Sequence, residues 1–138
     1  MTAITNRRVR ETDSLLRFAL RADATLCAGV GLLVAMTADP LSRLSGLTAT
    51  SEWIAGAALV GYGAALYTLA GLPDVRRVGV GVLAGNVAFA VAVGVVLVGG
   101  LLPLTGFGVG ATVAFTVATL ALAYAQYLGV RRMDVTPT

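Results

Sequence analysis

Residues 15–36 read LLRFALRADATLCAGVGLLVAM, and this stretch decides the fold. It opens with Arg17, Arg21 and Asp23, and from Ala24 to Met36 it carries no charge. About 20 apolar residues are needed to cross a hydrocarbon core of ~30 Å. The stretch therefore reads as a transmembrane helix that begins on a basic aqueous side, with Thr12 or Asp13 as its N-cap. Residues 1–12 precede it as a polar, basic segment carrying Arg7, Arg8 and Arg10, expected to be frayed or to lie along the headgroups.

Three further apolar runs follow, at about 53–72, 78–102 and 107–130. Trp53 opens the second, where an amphipathic ring suits an interface. Pro73 ends it, and Asp74, Arg76 and Arg77 make a tight basic turn. In the third, Gly81 and Gly85 stand four apart, a spacing that lets helix backbones approach closely. Pro103, Thr105 and Gly106 make an uncharged turn before the fourth. Residues 37–52 join the first two runs. Leu41, Leu44 and Leu47 recur there behind Asp39 and Pro40, with Gly46 as a stop, which suits either a short interfacial helix or an irregular loop. The expected fold is an all-α bundle of four transmembrane helices spanning residues 14–132, with a cytoplasmic segment at 1–13 and a tail at 133–138.

Composition agrees. Of the 138 residues 57% are hydrophobic and 12% charged, against roughly 25% charged in soluble domains. Orientation follows from the arginines. Arg7, Arg8, Arg10, Arg17 and Arg21 precede the first apolar core, Arg76 and Arg77 follow the second run, and Arg131 and Arg132 follow the fourth. Only Arg43 falls in the alternate loops. Basic residues collect on the cytoplasmic side, so both termini are expected there, in a bacterial inner (plasma) membrane, with the first helix serving as an uncleaved signal anchor. Arg17, Arg21, Arg76, Arg77, Arg131 and Arg132 are the expected contacts to lipid headgroups. The net charge of +3 is thus topological, and no nucleic-acid partner is expected.

Histidine and lysine are absent and there is one cysteine, Cys27. Histidine-held haem, zinc and copper are excluded, and an intrachain disulfide with them. Cys27 reads as an inert buried thiol. No nucleophile–base pair or phosphate loop is evident, so neither catalysis nor a cofactor is expected.

Three polar side chains interrupt the runs at comparable depth. Asp23 lies about 9 Å past Arg17, Asn86 roughly 13 Å past Arg77 and Gln126 roughly 7 Å before Arg131, at 1.5 Å per helical residue. A carboxylate in a membrane core costs about 2.5–3.5 kcal/mol on the insertion scale, so Asp23 should face other helices. Its expected donors are Asn86, Gln126, Tyr67 or Tyr124, or else Arg76 and Arg77 from the basic turn. Arg21, two residues away, points to the opposite side. Thr112, Thr116, Thr119 and Gln126 form one polar stripe on the last run. Three roles suit the cluster: interhelical glue, a proton or cation relay centred on Asp23, or the polar floor of a pocket for lipid or a small molecule.

The stretches LRADA (20–24), GN (85–86) and AQYLGVRR (125–132) resemble a group of small, uncharacterised bacterial four-helix integral membrane proteins. The group carries an acidic residue where this chain has Tyr124, and a Trp where it has Phe89. The resemblance implies the four-helix membrane fold and no activity. The acid in the first run is also similar to that of small multidrug exporters, although Arg17 and Arg21 flank it here. The function expected from sequence is an accessory or stabilising subunit of a larger membrane complex. The alternatives are a small proton-coupled transporter using Asp23 and a lipid or hydrophobic-ligand binding protein. Partners are accordingly membrane lipids and other membrane subunits or a second copy.

Overall fold

The computed structural model describes residues 2–135, without the side chains at 2, 5, 6 and 8–11. Arg8, Arg10 and tail residues 136–138 therefore lie outside what is described. The chain is all-helical: α1 (Thr2–Met36), α2 (Ala38–Ser45), α3 (Ala49–Leu69), α4 (Val75–Val98) and α5 (Gly106–Val135), with no strand among the described residues. Three helical segments are long and apolar enough to cross a membrane: Thr12–Met36, Val75–Val98 and Gly106–Val135. The 21-residue α3 is not among them, because Ser51, Glu52, Tyr62, Tyr67 and several glycines dilute its apolar content.

The first helix starts at Thr2, about three turns earlier than the sequence suggests. Asp13 is not a cap. It lies one turn before Arg17 and pairs with it at 3.0 Å. The same guanidinium donates to the carbonyls of Ala70 (2.8 Å) and Leu72 (2.9 Å) just past the end of α3. Helix C-termini leave carbonyls without intrahelical partners, so Arg17 closes the end of α3 from α1.

The connector 37–52 resolves into a helix followed by a short turn. Thr37, not Asp39, stands at the N-cap of α2, and Pro40 falls within the first turn, where no backbone N–H is needed. Gly46 ends the helix with φ 89°, in the left-handed region that favours glycine, and its N–H returns to the Ser42 carbonyl. The turn before α5 is fastened to the same end. Thr105 donates its amide to the Ser45 carbonyl at 2.9 Å and its hydroxyl to the Leu44 carbonyl.

The central helix is α1. It packs along α3, α5 and, more lightly, α4, while α4 packs mainly on α5. Its partnership with α3 is antiparallel over the full length: residue 31 meets 56, residues 24–28 meet 63, and Arg17 meets the end of α3. A Cβ on Gly56 would lie 2.5 Å from the Ala35 nitrogen, and one on Gly63 would lie 2.6 Å from the Ala24 carbonyl oxygen. Glycine is thus required by contact between backbones. By contrast, Gly81 and Gly85 meet nothing within 4 Å, so the glycine pair on the third apolar run does not join helices within this chain. Leu16, Leu20, Leu66, Ala70, Val75 and Val130 form the apolar core, all at the end that holds the N-terminal half of α1 and the C-terminus of α5.

Candidate functional site

Three helices deliver one polar side chain each to a point enclosed by protein. Asp23 from α1 and Gln126 from α5 are completely buried, and Asn86 from α4 nearly so. The Asn86 amide donates to Asp23 Oδ2 at 3.0 Å and to Gln126 Oε1 at 3.2 Å, and Gln126 Nε2 donates to the same Asp23 oxygen at 2.8 Å. The three residues form a closed ring of hydrogen bonds. The second carboxylate oxygen accepts from the Cys27 thiol at 3.5 Å, one turn along α1. Every described contact to the carboxylate is a donor.

Cys27 was legible as a partner from its i, i+4 spacing to Asp23, although sequence reasoning read it only as inert. Tyr67 and Tyr124 are not part of the ring. Tyr67 is 54% exposed beneath the Arg21 guanidinium, 5.5 Å from its ring centre, and Tyr124 is 63% exposed. Two residues on a helix turn about 200°, so Tyr124 faces away from the side that carries Gln126.

The arginines are not interchangeable. Arg17 binds Asp13 and the end of α3, as above. Arg76 forms a bidentate pair with Asp134 (2.8 and 3.3 Å) that joins α4 to α5. Arg77 pairs with Asp74 at 3.4 Å, Arg131 lies over Tyr127, and Arg132 is exposed. None of Arg21, Arg76 and Arg77 reaches Asp23 among the described contacts.

Glu52 is a further buried acid, one that the sequence does not mark. Glu52, in the first turn of α3, is 6% exposed and accepts a hydrogen bond from the Ser45 hydroxyl. The sequence places it only in the connector, since its place under α2 depends on how α2 folds back.

Between these two polar centres runs a cleft. The helix α3 has no substantial packing interface with α4 or α5, and the space between them is lined by side chains from all five helices. One cavity of about 550 Å³ is bounded by Val30, Ser45, Glu52, Leu59, Tyr62 and Phe115 among others. A second, of about 220 Å³, is bounded by Cys27, Leu59, Tyr62, Asn86, Phe89, Phe115 and Thr119. The two share Leu59, Tyr62, Phe89 and Phe115, so they adjoin. Phe89 and Phe115 meet edge to face at 6.0 Å. Tyr62, Phe89 and Phe107 are 40–52% exposed, so the cleft opens at the protein surface.

The threonine stripe of α5 divides at this cleft. Thr112 and Thr116 donate back to the carbonyls of Gly108 and Thr112, both at 2.8 Å. Thr119, 3% exposed, has no partner for its hydroxyl among the described residues. Among the described residues no cluster of His, Cys, Asp and Glu is able to hold a metal. Comparisons with protein-family models, characterised proteins and solved structures give no significant match.

Proposed function

We propose that this chain is a non-enzymatic, four-span protein of the bacterial inner membrane, with both termini cytoplasmic, and that it takes a hydrophobic ligand into the cleft between α3 and α4/α5. The span added to the three long apolar helices is α3, the second in chain order. Although diluted in apolar residues, it lies antiparallel against the membrane-length segment of α1 from one end to the other. At 1.5 Å per residue its 21 residues reach about 31 Å. The arginine asymmetry supports the orientation.

The observation that carries the binding reading is the cleft itself. Its larger part, about 550 Å³, falls in the range of roughly 300–1,000 Å³ typical of ligand pockets, apolar in lining with a few polar groups. The Asp23 ring favours anchoring over a proton relay, because Asp23 is sealed and all its described contacts are donors.

Replacing Leu59, which lines both cavities, by Trp fills the cleft and leaves the three ring residues themselves unchanged. Protein purified in mild detergent and extracted with organic solvent should yield a bound hydrophobic molecule from wild type and little from Leu59→Trp. Equal extracts from two equally folded proteins would rule the reading out. A second reading, an accessory subunit of a larger complex, is favoured by the bare outer face of α4, where Val80, Val87, Val91 and Val95 are exposed. Under that reading native sizing finds a partner subunit. A lone monomer speaks against it.

A further inference from the structure

We infer that the cleft selects a single-chain hydrophobic alcohol, with its hydroxyl seated between Thr119, Asn86 and Tyr62 and its chain running toward Glu52. The inference rests on the ligand-binding reading above and names the chemistry of that same site.

The argument begins with the Thr119 hydroxyl. A buried hydroxyl without a partner costs about 1–3 kcal/mol, and helical threonines ordinarily avoid this by bonding to the preceding turn. Thr112 and Thr116 do so on the same helix, and Thr119 does not. Its side chain borders the 220 Å³ cavity.

The neighbours of Thr119 define what it can receive. Both N–H groups of the Asn86 amide are engaged by Asp23 and Gln126, so the group Asn86 has to offer is its carbonyl oxygen, an acceptor. Thr119 offers a donor and an acceptor, and the Tyr62 phenol does the same. A ligand that satisfies the Thr119 O–H proton and the Asn86 carbonyl together must accept from the first and donate to the second. A hydroxyl does both with one atom. An ammonium has no acceptor, a carboxylate or ketone has no donor, and an alkane has neither.

Charge tells against an anionic ligand. Asp23 lies one hydrogen bond behind Asn86, and Glu52 borders the far end of the larger cavity. No arginine lines either cavity. An anionic head would sit between two acids with no counter-charge, in a medium where such repulsion is strong.

Shape fits a single chain. From Glu52 to Tyr62 the cleft follows ten residues of α3, about 15 Å at 1.5 Å per residue. Its walls are apolar or aromatic, from Val30, Ala55, Leu59, Phe89, Phe107 and Phe115.

The test compares dodecanol, dodecanoate, dodecylamine and dodecane as competitors for a photoactivatable dodecanol in delipidated protein in nanodiscs. Wild type should bind dodecanol at least about fivefold more tightly than the other three, the weight of one net hydrogen bond of ~1 kcal/mol. The nearly isosteric Thr119→Val should lose that preference, and Thr119→Ser should retain it. Photolabel should map to residues on the shared wall. Preference for the acid or the amine, or equal binding of all four, overturns the inference and leaves the hydrophobic-ligand reading standing. A hydroxyl preference that survives Thr119→Val also overturns it. Binding of none of the four defeats both readings together.

Discussion

Asp23→Ala should lower the stability of the folded protein by about 2–4 kcal/mol. The replacement orphans donors rather than removing one weak contact. The Gln126 amide, the Cys27 thiol and one N–H of Asn86 all lose their acceptor, and each unsatisfied buried amide costs about 1–3 kcal/mol. A single interhelical hydrogen bond in a membrane averages only about 0.6 kcal/mol, so the orphaning decides the size of the effect. Asp23→Asn keeps an acceptor oxygen at the same place and should cost about 1 kcal/mol, one net hydrogen bond. Equilibrium unfolding in mixed micelles under increasing denaturing detergent measures both. If Asp23→Ala stays within about 0.5 kcal/mol of wild type, the ring contributes less than its geometry implies.

Gly63→Leu should be of similar or larger effect, about 3 kcal/mol, the upper end for overpacking. A Cβ here lies 2.6 Å from the Ala24 carbonyl oxygen and 2.8 Å from the Ala28 nitrogen. The obstacles are backbone atoms of α1, which cannot rotate aside as a side-chain tip can. The two helices must separate, and with them the wall that carries Tyr62 and Leu59. Gly61→Ala, two residues earlier, is the matched control. Nothing lies within 4 Å of its added Cβ, so the change should be neutral or stabilising by up to about 1 kcal/mol, the helix-propensity difference. The same unfolding experiment compares them. Two glycines that respond alike would mean that α1 and α3 are not in backbone contact.

The polar side chains that meet were legible because depth can be counted. Asp23, Asn86 and Gln126 each lie a known number of residues from an arginine, and helical rise turns that number into a height. What sequence leaves open is azimuth, the direction a residue faces once helices choose partners. Tyr67 and Tyr124 have suitable depths and face outward. Gly81 and Gly85 have the right spacing for close contact, yet the contacts are made by Gly56 and Gly63, seven apart on a helix whose pattern gave no such hint.

Two further features depended on packing between distant segments. Glu52 is buried only because α2 folds back to place Ser45 beside it. The cleft exists because α3 packs on α1 and α2 and leaves a gap to α4 and α5. No local pattern encodes an interface that does not form. Arg17 shows a third case. Its position suited a headgroup contact, but the end of α3 offers two carbonyls within reach.

The central claim is that α3 crosses the membrane, because this sets the orientation of Glu52, the cleft and the chain ends together. Single cysteines at the exposed positions Thr50 and Gly71, one at each end of α3, test it in a Cys27→Ser background that retains a hydrogen-bond donor toward Asp23. A membrane-impermeant maleimide applied to intact spheroplasts should label the cysteine at position 50, and should reach position 71 only after permeabilisation. Labelling of both positions from the same side, whichever side it is, would contradict the four-span account.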